Sequence, residues 1–164
     1  MMGAREIAEQ VLDPELPVLT LAELGVLRDV HVEPDGSVLV TITPTYSGCP
    51  AVDVMRAQLR NRLQDAGYAQ VNVRSVLSPA WTTDWITDEG RRKLATAGIA
   101  PPNRVGPRVA GPIPLNLEPP SATVPCPRCG SRNTELLSRF GATACKALYR
   151  CHGCAEPFEH FKEL

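Results

Sequence analysis

Two Cys-x-x-Cys clips near the C-terminus constrain this chain more than any other feature: "CPRC" at Cys126 and Cys129, and "CHGC" at Cys151 and Cys154. Each clip lets two sulfurs reach one ion across a tight turn, and two clips on facing hairpins complete a Cys₄ zinc ribbon. The 21 residues between the clips slightly exceed the roughly 15 to 20 usual for this pattern, a difference that a longer hairpin absorbs. A stretch as short as residues 126–164 buries too little apolar surface to fold without such a staple. The expected ion is Zn²⁺, with iron as the alternative that four thiolates by themselves do not separate.

Composition breaks sharply upstream of the clips. Eight of the 16 prolines fall between Pro101 and Pro125, where no apolar period of 2 or 3.6 can be traced, so residues 99–125 read as a Pro-rich linker. It separates a periodic region, residues 1–98, from the Cys-rich module, residues 126–164. Six cysteines in a chain without a signal-peptide pattern point to metal or redox chemistry rather than disulfides. No 18-residue apolar run occurs, so no membrane partner and a cytoplasmic protein are expected. Charge is balanced, with 17 Lys+Arg against 18 Asp+Glu. Neither the whole chain nor the tail shows the clustered cations and stacking aromatics of a nucleic-acid binder.

The first region reads as a small α+β sandwich in the order α-β-β-α-β, helices covering one face of a three-stranded sheet. A helix is expected over Ala4–Leu12, with Ile7, Val11 and Leu12 on one face, ending before Pro14. "TLAEL" offers a capping box, Thr20 with Glu23, stopped by Gly25. Two β-rich runs flank Glu33-Pro34-Asp35-Gly36 as a hairpin. Val52, Met55, Leu59 and Leu63 then recur at helical spacing after Pro50. "AQVNVRSV" is the third strand, and a last helix starts at Thr87 and ends before Gly98. Trp81 and Trp85 suit a packing clamp over the sheet edge, and exposed sheet edges in such a domain can pair into a homodimer.

Cys49, in "TPTYSGCPAVDVMR", stands apart from the other cysteines. With Pro50 as the first helical residue it would occupy the N-cap, where unpaired N–H groups and the positive end of the macrodipole favour a thiolate. That would suit a nucleophile or a soft-metal ligand; a free cysteine plugging a strand-to-helix corner is the packing alternative. Asp13 and Glu15, in "LDPELPVLT", flank a rigid proline and could face the same edge as Cys49, or simply form a solvated turn. Cys145 lies outside both clips and is expected as a buried filler on a strand.

Three stretches, "DPELPVLTLAELGVLRDV", "VTITPTYSGCPA" and "PAWTTDWITDEGRRKL", resemble the α+β domain family of cytosolic iron-sulfur assembly factors. With the tail "CPRCGSRNTELLSRFGATACKALYRCHGCAEPFEHFK" added, the whole chain resembles the D-component family of the ring-1,2-phenylacetyl-CoA epoxidase system. The resemblance implies an accessory or maturation role in aerobic phenylacetate catabolism, non-catalytic, with the other components of the epoxidase and iron-sulfur assembly clients as partners. It further implies that Cys49, with Asp13 and Glu15, binds an iron or iron-sulfur species transiently. A structural or redox-active component is the alternative. Consistent with an accessory role, the chain lacks the paired Glu-x-x-His motifs of di-iron bundles and any glycine-rich dinucleotide fingerprint.

Overall fold

The computed structural model describes residues 3–106 and 123–164. The chain divides into two compact units, Met1–Lys93 with Leu164 and Leu94–Glu163. The first holds α1 (Ala4–Glu9), β1 (Leu27–Val32), β2 (Val38–Ile42), α2 (Val52–Asp65), β3 (Val71–Ser75), a 3₁₀ turn at Thr83–Trp85 and the start of α3 (Asp88–Thr96). The expected order α-β-β-α-β is the observed one.

β1 and β2 form the hairpin, its turn closed by Glu33 N–H to the Ser37 carbonyl at 2.8 Å, with Gly36 at φ 82°. Such a turn residue is most easily glycine. α2 then carries the chain back so that β3 runs parallel to β2, a geometry that needs a crossover of this length. β2 is therefore central, and Val40 pairs with Val30 on one side and Val73 on the other. Met55, Leu59 and Leu63 of α2 are buried, as are Val38, Val40 and Ile42 of β2. The 3.6-residue period of the helix and the two-residue period of the strand supply these two apolar faces.

The N-terminal helix is shorter than expected. It ends at Glu9 because the next residues enter extended pairing: Leu12 bridges Thr20, Leu21 N–H donates to the Val11 carbonyl at 2.8 Å, and Asp13 N–H to the Leu19 carbonyl at 2.9 Å. Ala4, Ala8 and Val11 are buried while Leu12 is 48% exposed, so the buried face differs from the expected one. The capping box forms in both directions, Thr20 N–H to Glu23 Oε2 at 2.9 Å and Glu23 N–H to Thr20 Oγ1 at 3.1 Å. Gly25 closes that turn at φ 76°, and a Cβ there would lie 2.6 Å from Trp85 Cβ. Trp81 is buried and donates its indole N–H to the Leu24 carbonyl at 3.1 Å, so the two tryptophans do clamp this turn.

The second unit is a four-stranded sheet in the order β4-β7-β6-β5, from β4 (Ile99–Ala100), β5 (Thr134–Ser138), β6 (Lys146–Cys151) and β7 (Pro157–Phe161). Ile99 and Ala100, the first residues of the expected linker, are thus a strand of the ribbon sheet, parallel to β7. Two residues show no sequence period, so this edge strand is specified only by what it pairs with. Pro102 is buried, and residues 107–122 of the expected linker lie outside the described residues. One buried cluster of the unit is Ala100, Val124, Cys126, Cys151 and Phe158, with Tyr149 and Cys154 packed against it; Ala147 and Phe161 are buried as well. Among the described residues no helix is long and apolar enough to cross a membrane.

Candidate metal centre and thiol loop

The ribbon brings the two clips together. The ligand atoms of Cys126, Cys129, Cys151 and Cys154 all lie within 4.8 Å of one another. Cys126 Sγ is 3.8 Å from Cys154 Sγ, and Cys129 Sγ is 3.5 Å from Cys151 Sγ. Disulfide sulfurs would stand at about 2.0 Å, so all four are free thiols. In a tetrahedral thiolate site with metal–sulfur bonds of about 2.3 Å, sulfur–sulfur edges are about 3.8 Å. The cage therefore fits one tetrahedral ion, and its all-sulfur donor set suits zinc.

Local backbone geometry prepares the sulfurs for a cation. Cys126 N–H donates to the Ser131 carbonyl and Gly130 N–H to the Cys126 carbonyl, each at 2.9 Å, closing the first knuckle. At the second, the Cys154 backbone N–H is the main influence lowering the Cys151 thiol to about 6, against its desolvation, with the Cys129 thiol and the Gly153 N–H, 3.3 Å away, assisting. Cys129 moves the other way, to about 11: the Ser131 N–H favours its thiolate, but the neighbouring sulfurs, Cys151 first, and burial outweigh it. One thiolate is thus easily formed, and a bound cation supplies the field that ionises the rest. His152, inside the second clip, faces Glu135 at 3.3 Å.

Cys145 is 5% exposed and contacts Thr143 Oγ1 at 3.1 Å, a buried filler as expected, one residue before β6.

The structure corrects the expected position of Cys49. Regular helix begins at Val52 with Ala51 in the cap position, so Cys49 lies two residues before the N-cap. The cause is a tighter turn: Cys49 N–H donates to the Tyr46 carbonyl at 3.2 Å, and the Cys49 carbonyl accepts the Val52 N–H at 3.4 Å. Its side chain is buried, with the residue 8% exposed.

Asp13 is not in a solvated turn; it is 3% exposed. Its Oδ1 accepts the N–H groups of Glu15 at 2.9 Å and Leu16 at 2.8 Å, which organises the "DPEL" turn. Burial raises its pKa, and those two hydrogen bonds only partly offset the shift. Glu15 is half-buried.

A chain of backbone hydrogen bonds, Thr43 to Val26, Val26 to Leu21 and Leu21 to Val11, ties the segment leading into Asp13 to the carboxyl end of β2. The loop bearing Cys49 leaves from that same end. Sequence reasoning misses Thr43, six residues before Cys49. It is 1% exposed, and its Oγ1 has no hydrogen-bond partner among the described residues. Ser75, which pairs with Ile42 at the carboxyl end of β3, likewise has a buried, unpartnered hydroxyl. The alternation of β2 gives no sign of this, because threonine is at home in strands for packing reasons alone. The carboxyl end of β2 thus has the unpartnered Thr43 and Ser75 hydroxyls among the described residues, the loop bearing the buried Cys49 thiol follows it, and the buried Asp13 carboxyl is linked to it through the backbone bonds of Val11, Leu21 and Val26.

Comparison with known proteins covers both units. Residues 5–75 match a family model described as iron-sulfur cluster assembly protein, and residues 112–162 one described as the PaaD zinc beta ribbon domain. A protein of Escherichia coli, named provisionally as the D component of 1,2-phenylacetyl-CoA epoxidase, is 46% identical over 95% of this chain and 88% of its own length. An Fe-S protein maturation auxiliary factor of Porphyromonas gingivalis is 34% identical over 51% of this chain and 80% of its own. The crystal structure of a DUF59 domain of unknown function from Bacillus anthracis superimposes with a TM-score of 0.51 at 24% identity, covering 56% of this chain and 87% of that one, a likeness of fold.

Proposed function

We propose a function from one premise: the chain belongs to the D-component family of the 1,2-phenylacetyl-CoA epoxidases. It is an accessory and maturation component of the phenylacetyl-CoA epoxidase system in aerobic phenylacetate catabolism. It assists the assembly of an iron or iron-sulfur centre on a partner protein in the cytoplasm. The observation that carries this is the 46% identity running through both units at once, assembly-type domain and Cys₄ ribbon together.

In this reading the iron species is cargo, held in passing at the carboxyl end of the sheet. Cys49 supplies a soft thiolate ligand, Asp13 and Glu15 supply hard oxygen ligands, and the buried Thr43 hydroxyl steadies the assembly. Burial keeps water off the thiol and raises the Asp13 pKa, so the carboxylate gains from pairing with a cation. The ribbon's zinc is structural: a closed Cys₄ site leaves no open coordination position for chemistry. Its folded surface docks on the client.

Anaerobic reconstitution with iron and sulfide tests the proposal. The wild type should take up iron and release it to an acceptor protein, whereas Cys49→Ser should lose uptake while keeping one zinc per chain. Equal uptake by both proteins removes Cys49 from the mechanism. The burial of Cys49 favours a second reading, in which the thiol is packing and the chain is a permanent structural part of the epoxidase. Co-purification with the oxygenase in fixed stoichiometry, without iron uptake, selects that one.

A further inference from the structure

Of the six cysteines, Cys129 alone is exposed; Cys49, Cys126, Cys145 and Cys151 are buried, and Cys154 is intermediate. The metal cage is therefore lopsided. Cys126 and Cys151 form its inner wall, in one cluster with Ala100, Val124 and Phe158, and Cys129 forms its outer corner. Cys151 is 0% exposed, and its sulfur accepts the Gly153 N–H at 3.3 Å. That same sulfur lies 3.5 Å from Cys129 Sγ, a closer approach than the 3.8 Å between Cys126 and Cys154. The solvent-facing sulfur and the enclosed one are thus neighbours across the two clips.

Susceptibility of cysteine to oxidation follows thiolate character and exposure. A bound cation holds every ligand sulfur as a thiolate, so within the cage exposure is what separates the four. Only Cys129 presents its sulfur to a small solute from solvent.

We propose that Cys129 is an oxidative modification site for a small peroxide, and that its oxidation closes a disulfide with Cys151 and releases the ribbon's metal. In the first step the Cys129 thiolate attacks one oxygen of hydrogen peroxide. The O–O bond breaks, an S–O bond forms, and hydroxide leaves, giving the sulfenic acid. The Cys151 thiolate then attacks the Cys129 sulfur. The S–O bond breaks, the S–S bond forms, and a second hydroxide leaves. The two thiolates give up two electrons, the peroxide takes them, and two protons from solvent turn both hydroxides into water. The sulfurs need only close from 3.5 Å to a bond of about 2.0 Å.

The disulfide takes one donor from each clip. Cys126 and Cys154 cannot complete a tetrahedral site alone, and a ribbon without its ion loses the energy that folds it. Cys145 and Cys49, 5% and 8% exposed, offer no comparable target. Only the ribbon's sulfurs take part, so the reaction is separate from any handling of iron at Cys49.

The test uses the full-length, zinc-loaded chain, hydrogen peroxide and a colorimetric indicator of free zinc. One zinc per chain should be released, at a rate proportional to peroxide. A dimedone trap should label Cys129 about tenfold faster, or more, than any other cysteine. Without the trap, peptide mass mapping should find the Cys129–Cys151 disulfide, and a thiol reductant with added zinc should restore the dispersed ribbon amides. Amides of the N-terminal unit should hold throughout. Cys129→His leaves a Cys₃His set able to hold zinc, and its release by peroxide should be about tenfold slower or more. Zinc retained in peroxide, first labelling at another cysteine, a first disulfide between any other pair, or equal release from Cys129→His overturns the proposal. If Cys129→His loses its zinc unprovoked, the labelling and disulfide map of the wild type decide alone.

Discussion

The N-terminal unit and the ribbon hold their shapes by different means. In the first, Leu19, Leu21, Leu24, Val26, Val38, Val40, Ile42, Leu59 and Leu63 are each nearly inaccessible to solvent. In the second, the buried apolar residues include Ala100, Val124, Ala147, Phe158 and Phe161, together with two of the ribbon's own candidate ligands, Cys126 and Cys151. At about 25 cal/mol per Å² of apolar surface, the first set contributes more through burial than the second does among the described residues. What the ribbon lacks in apolar area it recovers from one ion and from buried polar joints, such as Lys146 with Glu159 and His160 with Glu163. Perturbations should therefore separate the two units cleanly.

The largest effect should come from removing the metal. Structural zinc in such modules contributes about 10–16 kcal/mol of apparent binding energy, which is folding energy. A strong chelator, or Cys151→Ser, should erase the dispersed amide signals of the ribbon residues while the N-terminal unit keeps its own melting transition. Loss of both units together would break the comparison. Next, Gly25→Ala should cost the N-terminal unit about 2–4 kcal/mol, because the new Cβ meets Trp85 at 2.6 Å in a left-handed backbone. Denaturant titration should register this with zinc content unchanged. Smaller again, Cys145→Ala should destabilise the ribbon by roughly 1–2 kcal/mol through lost packing. It should still bind one zinc by elemental analysis, which would sharpen the division between the filler thiol and the four ligands.

The smallest effect concerns Asp13. Its raised folded pKa means that folding favours the protonated carboxyl, so ionisation costs stability once pH passes the unfolded value, and that cost is absent in acid. Asp13→Asn keeps an oxygen to accept the Glu15 and Leu16 N–H groups and removes the buried charge. Its Tm at neutral pH should hold or rise slightly, and the gain over the wild type should vanish in acid, giving the variant the steeper acid limb, even as iron uptake falls. A clear drop in Tm would mark the carboxylate as a structural element instead.

Much of the fold and of the metal cage is legible in the sequence because it is local. The Cys-x-x-Cys clips, the Thr20–Glu23 box, the Glu33–Gly36 turn and the Met55-Leu59-Leu63 stripe each depend on residues within one or two turns of each other, and each forms as expected. Cys49 sits off its expected cap position because a proline marks the start of a turn as readily as the start of regular helix. Asp13 is enclosed rather than solvated because burial of a polar group depends on what covers it. Thr43 and His160 carry no sequence signal, since a strand threonine or histidine looks the same whether its polar atoms face water or an enclosed partner.

The sequence by itself determined which sulfurs would come together, the turns at Thr20–Gly25 and Glu33–Gly36, and the apolar faces of α2 and β2. Periodicity and short spacings encode those directly. Only the tertiary structure decided that β3 runs parallel to β2, that Ile99 and Ala100 belong to the ribbon sheet, and that Asp13, Thr43 and His160 are enclosed. Those outcomes are set by contacts between segments far apart along the chain, where burial and pairing rather than local preference fix the lowest free energy.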